Sequence, residues 1–176
     1  MTTTTATGPG VVGALWGVGG LVAFIVGALV RMITIGFAAY EHPFEWGHWA
    51  LLWTWVPMMA WAEGYRGFHR SFSPMVAARA LHLAGHPRPL HVLLAPIYCL
   101  GLIHATTDRK IRSTILTVGI AALVLIVRQL DQPWRGIIDL GVIVGLSIGV
   151  LSMIAWTFRA FRDDGFDYPA DVPDPA

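Results

Sequence analysis

The side chains of this sequence with the greatest chemical reach are ionisable groups set in or beside long apolar runs. Arg31 follows a stretch, Val11 to Val30, without one ionisable residue, and Asp139 opens another that continues to Phe158. Charges at membrane depth are costly, so they face a partner or a water-filled path. Arg31 and Asp139 approach a similar depth from opposite ends of their helices, and they are expected to pair there. His48, at the outer start of the second apolar segment, is expected to join them. A polar path through these residues would suit a small transporter or channel.

A denser group follows the second apolar segment: Glu63, Arg66, His69 and Arg70, with His91 and His104 farther on. Gathered between helices, these residues would bind a carboxylate or an anionic head group; spread out, they hold the cytoplasmic side by charge. Seven histidines in so apolar a chain raise haem and metal chemistry. Bis-histidine haem needs two imidazoles on different helices at one depth, which His69 with His104, or His69 with His91, would supply. His82 and His86 have the i,i+4 spacing of a helical metal site, but Gly85 and Pro87 interrupt the helix there. No C-x-x-C-H, H-E-x-x-H, phosphate loop, nucleophile elbow or paired carboxylates occur. No catalytic residue, resident cofactor or metal is therefore expected, and haem electron transfer is the third-ranked function.

A further pattern is steric. Gly141, Gly145 and Gly149 recur every four residues, which places them on one helix face as a glycine zipper. Such a face admits another helix at short range in lipid. Gly19, Ala23 and Gly27 form a weaker version near the amino terminus. Packing of these two helices within the chain and self-association both follow from the pattern.

The elements that position these residues are set by the apolar runs. A helix spans a bilayer with about 20 apolar residues. Helices are expected over Val11–Tyr40, Trp46–Tyr65, Ile111–Leu130 and Trp134–Phe161, with Pro57 disturbing the second. Residues 66–91 read as a basic connection, in which Met75–Leu83 forms a short helix on the membrane surface. Residues 92–105 contain Pro96 and are too short for a comfortable span, so they read as a re-entrant segment. Residues 1–10 and the acidic, proline-bearing tail 163–176 are expected to be disordered.

Composition agrees with this class. Of the 176 residues, 55% are hydrophobic and 13% charged, and the formal net charge is +1. That balance excludes a soluble nucleic-acid binder. Cys99 is the only cysteine, so no intramolecular disulfide forms. The connections 63–91 and 106–112 both carry excess Arg and Lys, and positive loops favour the cytoplasm. They share a side only if 92–105 dips in and returns. The expectation is an all-α protein of the bacterial inner membrane, with four spans, one re-entrant segment and both termini cytoplasmic; five spans are the alternative. It would act by helix association, as a homo-oligomer or as an accessory subunit, with anionic lipids at its cytoplasmic side.

Overall fold

The computed structural model describes residues 8–163 and 165–172, and every regular element among them is helical. Helix α1 runs Gly8–Phe37 and ends in a 3-10 turn, Ala38–Glu41. Helix α2, Trp46–Met59, passes without a break into a π-helix, Ala60–Phe72, and then into α3, Ser73–Gly85. Two short helices follow, α4 over Pro89–Leu93 and α5 over Ala95–Cys99. Helix α6 covers Thr107–Val127 and α7 covers Trp134–Arg162. Two helical runs, Gly8–Glu41 and Trp134–Arg162, are long and apolar enough to cross a membrane.

Helix α7 is the spine. The α2–π–α3 rod lies along one side of it and runs in the same direction. Near the top, Trp55 donates its indole N–H to the Ile138 carbonyl (3.1 Å). Near the foot, His69 Nδ1 meets the Ser152 hydroxyl (2.9 Å). Helix α1 runs the opposite way and crosses α7 at its upper end, where Gly36 packs under Leu140 and Ile143 and Gly136 packs under Ala39. At the lower end, Gly10, Gly13, Gly17 and Gly20 share a face of α1. They abut Ala84, Val92, Cys99 and Pro96 respectively, so α3, α4 and α5 lean on a strip without side chains.

The rod differs from the expectation. The chain does not leave the helix at Tyr65, and 66–91 is not a basic surface loop. The changed winding explains why. The Ser73 N–H bonds to Phe68 O, five residues back, which is the π pattern. Side chains turned inward therefore recur every four to five residues: Met59 and Ala60, Glu63 and Gly64, Phe68 and His69, Phe72 and Ser73. At α-helical spacing the apolar stripe would instead run through Trp61, Tyr65, Phe68 and Phe72, but in the π winding Trp61 and Tyr65 are exposed and Glu63 turns inward. The winding changes one turn after Pro57, which has no N–H to give the ladder.

Helix α3 also departs from the expected surface helix. Met75, Val76, Ala77, Ala80, Leu83 and Ala84 are wholly buried, together with Arg79. They form the core with Ala14, Val18 and Leu21 of α1 and Met153 of α7. Residues 92–105 go out and back: the rings of His91 and His104, near the two ends of the segment, lie 4.6 Å apart. The tail is not free either. Over 165–172, Tyr168 and Val172 pack on the core, and the Asp171 carbonyl accepts the Thr106 N–H (3.0 Å). Gly8–Gly10 belong to α1. The remaining termini expected to be disordered, 1–7 and 173–176, lie outside the described residues.

Helix α6 stands apart. Its described side chains from Thr114 to Ile126 are exposed, among them Ile115, Val118, Leu123 and Leu125. Among its described side chains, those at the ends are the ones tied down. The Ser113 hydroxyl bonds to Leu100 O (3.0 Å) below, and beyond the upper end Gln132 donates to Ile35 O (3.1 Å).

Candidate functional site

The polar residues that the sequence singles out fall into separate places. Arg31 is exposed on α1 and makes no ion pair among the described residues. Asp139 is buried, and its partner is Arg135 of its own helix, 3.9 Å away. The expected Arg31–Asp139 pair therefore does not form: Arg135, at i−4 on the same face, reaches the carboxylate without crossing to another helix. His48 does not join them. Its Nδ1 accepts the Glu45 N–H (3.0 Å) at the start of α2, and its ring packs against Trp134 at 4.3 Å between centroids.

The zipper glycines are used inside the chain. Gly141 lies under Trp55, Gly145 under Glu63 and Gly149 under Phe68. Their partner is the rod, not the small-residue face of α1. Gly19 and Gly27 have nothing near them, and Ala23 is exposed. The physical reason is bulk. A groove without side chains takes the large residues Trp55 and Phe68 more fully than it takes a second small-residue face.

The inner cluster splits in two. Glu63 and His69 belong to the seam between the rod and α7. The Glu63 carboxylate oxygen Oε2 rests over Gly145, where a Cβ would lie 2.9 Å from it. That oxygen is buried without a hydrogen-bond partner. His69 stacks on Tyr65 (5.6 Å), leans toward Trp156 (5.8 Å) and meets Ser152. Farther down, Trp156 Nε1, Thr157 Oγ1 and Ser73 Oγ are also buried without partners. Arg66 turns outward over the Trp61 ring (5.0 Å), and Arg70 is exposed.

His91 and His104 belong to a second centre, built on Arg79. This arginine has no exposed surface. Its Nε donates to Tyr98 O (2.6 Å), Nη1 to Ala170 O (2.7 Å) and Nη2 to Ile103 O (2.8 Å) and His104 O (3.0 Å). The guanidinium also lies 4.3 Å over the Tyr98 ring. One side chain thus ties α3 to both limbs of the 92–105 hairpin and to the tail. The Tyr98 ring stacks on His91 (5.0 Å), which meets His104. His104 holds a left-handed backbone, φ 45°, where the chain leaves the hairpin. His82 and His86 stack at 4.7 Å beside this centre.

So many cationic groups depress one another. Burial, then His86, Arg79, His104 and His91, lower His82 to about 4. Burial, then His104, Arg88 and Arg79, lower His91. Burial, then Arg88, Arg79 and Lys110, lower His104. Sequence reading treats Arg79 as topological charge. The signal it carries is the surrounding Ala77, Ala78, Ala80 and Ala84, which are too small for a lipid-seeking face and leave room for a guanidinium among packed backbones.

Among the described residues, no three His, Cys, Asp or Glu side chains are grouped to hold a metal ion. The histidines named for haem sit in different centres, His69 on the seam and His91 and His104 around Arg79. No protein-family model, curated protein or solved structure matches the chain.

Proposed function

We propose that this chain is a membrane-embedded helical protein that works by association, as a homo-oligomer or as an accessory subunit of a larger membrane complex. The observation that carries the reading is the apolar surface left uncovered. In the most apolar window of α1 only 11% of residues are buried, which favours a helix facing lipid over a buried core helix. Leu15, Phe24 and Val30 are exposed on it, as are Leu151, Ile154 and Phe158 on α7. Together with the bare flank of α6 they form apolar surface far beyond what a soluble monomer leaves in water.

In this reading α1, the upper part of the rod, α6 and α7 span the bilayer. The 92–105 hairpin enters from the cytoplasmic side and returns. Both termini and the Arg79 centre face the cytoplasm, and the membrane is the bacterial inner one. Arg66, Arg70, Arg88 and Lys110 gather on that side, as the positive-inside rule requires. Exposed arginines there suit anionic head groups. The association face is assigned to α6 and the open side of α1, because the α7 glycines are occupied.

Cysteine cross-linking tests it. With Cys99 replaced by alanine, Ile115→Cys and Leu123→Cys on α6 should each form disulfides between chains, or to a co-purifying subunit, in native membranes. A control cysteine at Met153, buried on α7, should not. Cross-linking no greater on α6 than at Met153 would remove the assigned face.

A further inference from the structure

Buried polar atoms without partners are rare in folded proteins, and each asks for a water, an ion or a proton. Among the described residues four such atoms have neither a hydrogen bond nor an ion pair, all of them on the rod or on α7: Glu63 Oε2, Ser73 Oγ, Trp156 Nε1 and Thr157 Oγ1; Arg135 Nε makes no hydrogen bond and is ion-paired with Asp139. They fall in order along the length of α7. Arg135 with Asp139 lies at the top, and Glu63 opposite Gly145 follows. His69 with Ser152 comes next, and Trp156, Thr157 and Ser73 lie at the foot. From Arg135 to Thr157 the α7 axis rises about 33 Å at 1.5 Å per residue. That matches the ~30 Å hydrocarbon thickness of a bilayer.

We propose that this seam is a proton path across the membrane, with Glu63 as its central carrier and His69 as the next acceptor toward the foot. Three features support it. Glu63 has no ion pair and no hydrogen bond among the described residues, so its carboxyl is free to take up and release a proton. Gly145 makes the space, since any side chain there would press on Oε2. The carboxyl also sits in the π-helix, a winding that recurs at functional positions. The titratable groups turned inward are Arg135 and Asp139 on α7 and Glu63 and His69 on the rod, while Tyr65, Arg66, Arg70, Arg159 and Arg162 beside them are exposed.

The step is a simple exchange. A hydronium ion from the outer water gives its proton to the Glu63 carboxylate, an O–H bond forms, and water is left behind. That bond then breaks as the proton passes, through a seam water, to a His69 ring nitrogen, and from there to the inner water. A proton gradient drives it.

The proposal rests on the membrane-spanning reading, and the experiment separates the two. The full chain is reconstituted in phosphatidylcholine–phosphatidylglycerol vesicles holding a pH-sensitive dye, with a potassium gradient and valinomycin as the drive. The wild type should acidify the vesicles. Glu63→Gln should lower the flux at least tenfold, Glu63→Asp should keep part of it, and Glu41→Gln, an exposed control, should leave it unchanged. A chain that alkaline carbonate strips from the vesicles overturns both readings. A chain retained but silent, or Glu63→Gln conducting like wild type, overturns the path alone. Should Glu63→Gln fail to insert, the wild type decides through a hydrophobic carbodiimide. A carboxylic acid adds through its oxygen to the reagent's central carbon, and its proton moves to the reagent's nitrogen. Retained label on the peptide bearing Glu63 supports the path, and its absence overturns it.

Discussion

At the scale of single residues, Arg79 carries the largest expected effect. Its removal leaves the carbonyls of Tyr98, Ile103, His104 and Ala170 without their donor. A buried polar group left unpaired costs about 1–3 kcal/mol. Arg79→Ala is therefore expected to destabilise by more than about 3 kcal/mol in detergent denaturation and to expose the tail to protease. Arg79→Lys should recover only part, because an ammonium cannot reach carbonyls on three segments with one planar fork. A loss below 1 kcal/mol in Arg79→Ala (~1 by the same scale) would remove the tie. The histidines around it give a pH dependence. His82, His91 and His104 bind protons less readily in the folded chain than in the unfolded one. Between about 6.5 and about 4 the unfolded state therefore holds more protons, and stability falls with pH. The stabilisation is complete above 6.5 and is lost toward 4. Unfolding midpoints between pH 7.5 and 4.5 would show this slope, and His82→Gln should flatten it; an equal slope in the variant would contradict the assignment. Little of this centre was legible in the sequence. Arg79 lies among alanines, and its acceptors are backbone carbonyls 19 to 91 residues away, which no side-chain pattern records.

At the scale of elements, the long apolar runs announced α1 and α7 nearly to their ends, because helix length in an apolar stretch is fixed by where charges and prolines stop it. The glycine face of α7 was also legible, but its occupant was not. Spacing shows that a groove exists, and only the packing shows that Trp55, Glu63 and Phe68 fill it. The π-helix was illegible for a physical reason. Its inward positions recur every four to five residues, a period that neither an α-helix nor a strand displays. Two sets of variants separate used faces from open ones. Gly149→Leu must displace the Phe68 ring and should cost about 1–3 kcal/mol or prevent folding, as overpacking does. Gly27→Leu adds bulk where nothing lies near and should leave monomer stability unchanged, while weakening association if that side of α1 is covered in the assembly. Equal destabilisation by both would contradict the packing. The hairpin is checked by accessibility. With Cys99 replaced, His86→Cys and Thr106→Cys should label from the same side of the membrane; labelling from opposite sides would make 92–105 a full crossing.

At the scale of the whole molecule, the chain has a well-packed lower half and an open upper half. Below, α3, the hairpin and the tail close around Arg79 and the α1 glycines. Above, α6 stands free and α1 presents Phe24, Val30 and Phe37 outward, while the exposed Leu151, Ile154 and Phe158 of α7 lie lower, on its outer side. A compact lower half with uncovered apolar flanks is what a subunit awaiting lipid and neighbouring helices would present. The most direct test is the protein mass after extraction in a mild detergent, measured by light scattering with the detergent contribution subtracted. The account predicts a fixed multiple of the 19.2 kDa chain, or a constant ratio to a second polypeptide. A single 19.2 kDa chain at every concentration, with nothing bound in fixed ratio, would contradict it.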